Sequence, residues 1–169
     1  MFNMFFPDEI QDSTYDISFE NLYEQGIRGV LFDIDNTLVE HGADATEQAI
    51  ALFRRLGDIG LNSCLISNNK EERVLRFNKE IGTKYIYDAH KPSGKNYKKA
   101  MELMGTDVSS TIFVGDQLFT DVWGAKNASI RSFLVKPMNP KEEIQIVLKR
   151  KLEAIVLRAY LKNHKIKTK

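Results

Sequence analysis

The chain has 169 residues, 43% hydrophobic and 28% charged, with a formal net charge of +1, which is ordinary for one soluble domain with a full core. Its one cysteine, Cys64, excludes an internal disulfide and, inside the apolar run Cys64-Leu65-Ile66, reads as a core thiol. No apolar stretch approaches the ~18 residues of a membrane span. The apolar start 1–6 lacks a basic flank and runs straight into Pro7-Asp8-Glu9, unlike an export signal.

The first apolar run, 29–32, stops at Asp33-Ile34-Asp35-Asn36-Thr37. It predicts a short buried strand with two carboxylates at its C-terminal tip, where ligands bind in open α/β sheets. Two acids so close repel unless a cation lies between them, and oxygen ligands suit a hard ion such as Mg2+. A helix is expected over 46–59, with Thr46 before it, Gly60 after it, and Leu52, Phe53 and Leu56 on one side. The second run, 63–66, ends in Ser67-Asn68-Asn69, and a helix is expected over 70–81. The third run, 85–87, is followed by Lys91-Pro92 and a helix over 94–104. The fourth, 111–114, ends in Gly115-Asp116, with Asp121 beyond it and a helix over 119–127; the fifth is 132–135. Pro140, Glu142 and Glu143 read as the opening of a last helix, whose stripe Ile144, Leu148, Leu152, Ile155 and Ala159 is expected to pack on the sheet.

Strand and helix alternate throughout. The fold class is therefore α/β, a Rossmann-like three-layer sandwich around a parallel five-stranded sheet. It reads as one domain over 1–169, with a core at about 28–137, a lead-in at 1–27, and a basic helix at 140–162 with its tail. Charge is uneven along it. Residues 136–169 hold ten Lys/Arg and three Asp/Glu, a net of +7, while residues 1–135 hold fourteen and twenty, a net of −6. A basic end is either a solvated helix face or an attraction to an anionic surface.

A parallel sheet brings its strand ends to one edge, so four loops converge there. Each part has a physical job on a phosphate. A carboxylate can attack phosphorus and form an acyl phosphate that water later cleaves. A cation lets an anion approach the aspartates, and Asp116 and Asp121 can complete its oxygen cage. Ser67 and Asn68 can hold phosphate oxygens, and Lys91 offers a point charge. Any one of these alone is a turn or a cap; all four in this order are not. Competing motifs fail. The Asp33/Asp35/Thr37 spacing lacks the Gly and Glu of a calcium loop, no glycine-rich phosphate loop exists, and His41, His90 and His164 are too scattered for structural zinc.

At these residues the chain resembles the haloacid dehalogenase (HAD) superfamily of aspartyl-phosphate-forming phosphatases. Asp-x-Asp-x-Thr matches Asp33, Asp35 and Thr37; the Ser/Thr motif matches Ser67; the Lys motif matches Lys91; Gly-Asp-x-x-x-x-Asp matches Gly115, Asp116 and Asp121. The wording at Asp35–Val39, Ser67–Asn69, Lys91-Pro92 and Gly115–Asp121 is similar to the YqeG-like group, subfamily IIIA, as is the lead-in from Pro7. The resemblance implies Asp33 as nucleophile and metal ligand and Asp35 as acid and base, its carbonyl facing the metal. It implies that Thr37 orients Asp35, that Ser67 and Lys91 bind the phosphoryl group, and that Asp116 and Asp121 serve the Mg2+ site, Asp121 through water or by pairing with Lys91.

Asp35 and Ser67 are thirty-two positions apart, and Ser67 and Lys91 twenty-four, which leaves no room for a cap domain. The core is expected to be capless. An open site cannot select a small molecule by enclosure and suits a large substrate. The YqeG-like group is related to the mitochondrial phosphatidylglycerophosphate phosphatase. Its resemblance and the basic end lean towards a lipid phosphate, hydrolysed to phosphatidylglycerol. The expected partner is an anionic lipid head group at a membrane surface, with no integral membrane segment, no nucleic acid and an open oligomeric state. The expected location is cytoplasmic, peripheral at the membrane. A phosphatase for soluble nucleotide or sugar phosphates, and a non-enzymic interaction protein on this fold, are the alternatives.

Overall fold

Six parallel strands form one sheet in the computed structural model of the protein, which describes residues 2–139 and 144–165, the side chains of 144–148 and 165 excepted. They are β1 (Glu9–Gln11), β2 (Gly29–Phe32), β3 (Asn62–Ile66), β4 (Lys84–Ile86), β5 (Thr111–Gly115) and β6 (Arg131–Val135), ordered β1-β6-β5-β2-β3-β4 across the sheet. Five of them coincide with the apolar runs. β1 corrects the five-stranded expectation. Glu9-Ile10-Gln11 is too short and too polar to read as a run, and it is held by pairing Glu9, Ile10 and Gln11 with Phe133, Leu134 and Val135. An Arg131–Glu9 ion pair and a 2.8 Å Lys126–Asp8 pair secure that edge.

The helices are α1 (Phe19–Glu24), α2 (Glu47–Ile59), α3 (Glu71–Asn78), α4 (Lys95–Met104), α5 (Trp123–Asn127) and α6 (Ile144–Lys165). α2 shows why its sequence predicted it. The Thr46 hydroxyl accepts from the Ala49 amide at 3.2 Å, and Gly60 closes the helix at φ 97°, a conformation glycine adopts without strain. Strand alternation then sorts the core into two layers. Val30, Phe32, Leu65 and Val114 pack under α1, α2 and α3, against Phe19, Leu56, Val74 and Phe77. Leu31, Cys64, Ile66 and Phe113 pack under α4, against Tyr97, Ala100 and Met104. Cys64 is fully buried, and burial pushes its thiol up to about 12, so the core reading holds.

Two helices differ from expectation. Residues 118–122 form a wide π turn rather than the start of an α-helix, the Val122 amide reaching back to the Gln117 carbonyl at 3.1 Å. Of the stripe expected to pack α6 on the sheet, Leu152 and Ile155 face outward, 58% and 55% exposed, and Ala159 is half-buried, while Glu153, Val156 and Tyr160 are buried. On the inward face the Glu153 carboxylate accepts the Leu118 amide at 3.0 Å and pairs with Arg150 at 3.1 Å, and Val156 packs with Leu118, Val122 and Leu134. The helix opening at Pro140, Glu142 and Glu143 lies outside the described residues, as do the side chains of Ile144 and Leu148.

β2 lies inside the sheet, between β5 and β3. From it the chain continues to β3 on one side and returns to β5 on the other. The crevice outside the C-terminal ends of β2 and β5 is the switch point at which such sheets bind ligands. Between Asp35 and Ser67, and between Ser67 and Lys91, the described residues supply only α2 and β3, then α3 and β4; no inserted unit stands over the crevice.

Candidate active site

Register places the site. Phe32 pairs with Val114, so Asp33 leaves β2 beside Gly115-Asp116 leaving β5, and the Asp33 amide still donates to the Val114 carbonyl at 3.0 Å. The chain then turns sharply, with Asn36 at φ 61°, a left-handed conformation that Asn tolerates. The lead-in braces this loop from behind. The Thr14 hydroxyl donates to the Thr37 carbonyl at 2.7 Å, and the Tyr15 hydroxyl to that of Leu38 at 2.6 Å.

At the floor, Lys91 Nζ lies 2.7 Å from Asp33 Oδ1 and 2.7 Å from Asp121 Oδ1. Asp33, Asp116 and Asp121 each present a carboxylate oxygen, all within 4.8 Å of one another and all buried. The π turn carries Asp121 back over the strand end, where its Oδ2 accepts the amides of Asp116 at 3.1 Å and Gln117 at 3.0 Å. Only glycine fits beneath it, because a Cβ on Gly115 would sit 2.5 Å from that oxygen. Asn68 fixes the lysine loop by accepting the Lys91 amide at 2.7 Å and donating to the Lys91 carbonyl at 3.3 Å. The Ser67 hydroxyl, also buried, accepts the Asn69 amide at 3.1 Å.

Burial pushes the Asp33 carboxyl up to about 6; Lys91 opposes that shift, and the charges of Asp121 and Asp35 add to it. Asp116 is pushed up strongly by burial and by the charges of Asp121 and Asp33, against Arg150, which pairs with it from α6. Burial works against a charged Lys91, yet Asp121 and Asp33 outweigh it and hold the lysine as a cation. Three buried carboxylates thus share too little positive charge. An all-oxygen donor set of that kind fits a hard divalent cation.

Asp35 stands apart from this cage. Its Oδ1 accepts the Gly42 amide at 2.8 Å and pairs with Arg73 at 2.8 Å, and its Oδ2 accepts Asn69 Nδ2 at 2.6 Å. Burial works against its charge, but Arg73 and the Gly42 amide outweigh it and hold the carboxyl below the usual range. The expected role of Thr37 changes accordingly. Its hydroxyl reaches Asp33 Oδ2 at 3.5 Å and Asp116 Oδ1 at 3.3 Å, not Asp35, because the turn at Asn36 directs it into the cage.

A pocket of about 200 Å³ opens over these groups, lined by Asp33, Asp35, Ser67, Asn68, Lys91 and Lys149, with His41 exposed on its rim. Every residue expected at the site is therefore brought to one crevice. Three residues were not foreseen. Arg73 carried no signal beyond a charged helix face. Lys149, which donates to Gln117 Oε1 at 2.9 Å, and Arg150 lay unresolved within the basic end of the chain.

Residues 89–142 match the HAD-hydrolase-like family. The chain is 34% identical over 156 residues to "Probable phosphatase YqeG" of Bacillus subtilis (strain 168), covering 92% of this chain and 91% of that one. It is 30% identical over 166 residues to phosphatidylglycerophosphate phosphatase 1, chloroplastic/mitochondrial, of Arabidopsis thaliana, covering 90% of this chain but 47% of the plant enzyme, about half its length. Among solved structures it is similar to an uncharacterized protein from Listeria monocytogenes serotype 4b, with TM-score 0.55 and 14% identity, covering 69% of this chain and 85% of that one. It is also similar to the cobalt-bound deoxy-D-mannose-octulosonate 8-phosphate phosphatase of Haemophilus influenzae, with TM-score 0.52 and 12% identity, covering 80% and 90%. At such identities the structural likeness speaks for the fold alone.

Proposed function

This chain belongs to the YqeG family of HAD-like phosphatases, and on that premise we propose that it hydrolyses phosphatidylglycerophosphate to phosphatidylglycerol with Mg2+. The observation that carries the chemistry is the cage itself: Lys91 bridging Asp33 and Asp121 beside Asp116, with Asp35 held separately at the same strand tip. Asp33, Asp116 and Asp121, with the Asp35 carbonyl, are the groups to hold Mg2+, which would neutralise charge as a phosphate approaches.

In this reading an Asp33 oxygen attacks phosphorus while the bond to the lipid alcohol breaks, and Asp35 gives the departing oxygen its proton. The incoming phosphate raises the proton affinity of Asp35, which at rest is a carboxylate held by Arg73. Asp35 then takes a proton from water, whose oxygen attacks the acyl phosphate; inorganic phosphate leaves and Asp33 is restored. Lys91 and Ser67 hold the phosphoryl oxygens, and Asn68 fixes the lysine that does so.

Three features support the lipid substrate. The plant relative is a phosphatidylglycerophosphate phosphatase. The pocket stands open, with no inserted unit above it among the described residues. Its rim carries Lys149 from a strongly basic helix. Phosphate release from a panel of p-nitrophenyl phosphate, nucleotides, sugar phosphates and phosphatidylglycerophosphate micelles, with Mg2+ and with EDTA, tests it. Cation-dependent release fastest from the lipid is expected. Faster turnover of a soluble ester would overturn the substrate, and no release from any of them would overturn the enzyme.

A further inference from the structure

α6 has two unlike faces. The inner one ties it to the site through Lys149, Arg150 and Glu153. The outer one carries Lys151, Ile155, Arg158 and Lys162, all exposed and three or four residues apart, so they form one ridge along the helix. Apolar side chains flank that ridge: Leu152, 58% exposed, on one side and Leu161, 50% exposed, on the other. Leu161 also rims an apolar groove of about 330 Å³ between α6 and the sheet edge, lined by Ile10, Leu134, Val135 and Leu157, with Lys136 and the Asp116 and Glu153 carboxylates paired to Arg150 beside them. The one acid among the described residues of α6, Glu153, is buried and paired, so the outer surface offers cations and hydrocarbon without an anion.

We propose that this outer face of α6 is a docking surface for an anionic lipid bilayer. Lys151, Arg158 and Lys162 would meet headgroup phosphates, and Leu152, Ile155 and Leu161 would enter the boundary with the acyl chains. Cations near an anionic membrane are drawn to its headgroups, and the apolar side chains beside them add burial at the boundary. A second copy of the chain fits worse, since pairing two such faces sets cation against cation. No helix among the described residues is long and apolar enough to cross a membrane, so the contact is peripheral. Lys149 projects from the inner face of the same helix into the catalytic pocket, so one helix carries both the site contact and the docking ridge. The proposal rests on the lipid-phosphate reading for its purpose, but binding is read without turnover.

The test is sedimentation of the full chain with vesicles of phosphatidylcholine alone or mixed with phosphatidylglycerol. Binding to the mixed vesicles, release by salt and no binding to phosphatidylcholine alone are expected. Lys151→Glu with Lys162→Glu should lower partitioning at least about 30-fold, at roughly 1 kcal/mol per cation. Leu152→Glu with Ile155→Glu should lower it about tenfold or more. Hydrolysis of p-nitrophenyl phosphate, unchanged in both variants, verifies their fold. No binding of the unaltered chain, or equal binding by both variants, would overturn the surface, as would a dimer lost in Leu152→Glu with Ile155→Glu while vesicles stay unbound. Vesicle binding without turnover of phosphatidylglycerophosphate would overturn the substrate and leave the surface standing.

Discussion

The floor of the pocket and its rim treat two neighbouring carboxylates in opposite ways. The side chains of Asp33 and Asp35 are 11% and 12% exposed, so access to water barely separates them. Burial pushes both up, and the partners decide the outcome. Asp33 shares one lysine with Asp121 and faces Asp116, and it rises to about 6. Asp35 faces an arginine, an amide N–H and an asparagine NH2, all donors, and it falls below the ordinary value. One strand tip thus holds a group waiting for a cation beside a group already supplied with positive charge.

The sharpest break of this comparison is Asp33→Asn. Phosphate release should fall roughly 10⁴-fold or more, as for loss of a nucleophile. The melting temperature of the cation-free protein should not fall, because a charge disfavoured by its neighbours is removed; a clear drop would mean that the cage is structural without its cation. Next is Asp35→Asn, where loss of the acid and base should cost about 10²- to 10⁴-fold. Rapid quenching should then find phosphate covalently retained on Asp33, since the second step needs the base.

The third prediction comes from the raised carboxyls. A carboxyl with a folded value above its unfolded one binds more protons when folded, so stability from it is lost as pH rises through about 6. A divalent cation restores stability above that pH but must displace protons below it. Calorimetry should therefore find Mg2+ raising the melting temperature at pH 7.5 by roughly 5–10 °C, near 2.7 kcal/mol at a hundred times the dissociation constant, and far less at pH 5. An equal rise at both would place the ion elsewhere. The smallest effect is on the rim. Arg73→Met should slow turnover about tenfold, or 1.4 kcal/mol, and leave the Mg2+ shift intact. A loss as large as that of Asp35→Asn would mean that Arg73 touches the substrate.

Asp33 and Asp116 were legible in the sequence because each follows an apolar run, and a run locates a strand end, while Asp121 was found by its spacing from Gly115-Asp116. Arg73 was not, because nothing in Glu71-Glu72-Arg73 distinguishes a buried ion pair from a solvated helix face. β1 was missed because its place depends on β6, more than a hundred residues away. The outward turn of Leu152 and Ile155 was missed for a related reason. Apolar spacing assigns a helix face only when no acid on it has a partner waiting, and the partners of Glu153 are the Leu118 amide and Arg150. The strand count, the clamp on Asp35 and the face of α6 were all decided by distant contacts.

The brace of Thr14 and Tyr15 on the catalytic loop bears on how the chain is made. Those residues lie directly after β1, and β1 is held by β6, with Glu9 opposite Phe133. A chain emerging from the ribosome carries Asp33 about a hundred residues before β6, yet the segment behind its loop has no sheet edge to join until residue 135 has been synthesised. The lead-in waits for the last strand, so a nascent chain lacking β6 should hold its four motifs without a firmly backed nucleophile. Catalytic competence is then gained only once β6 has been made and β1 can pair with it.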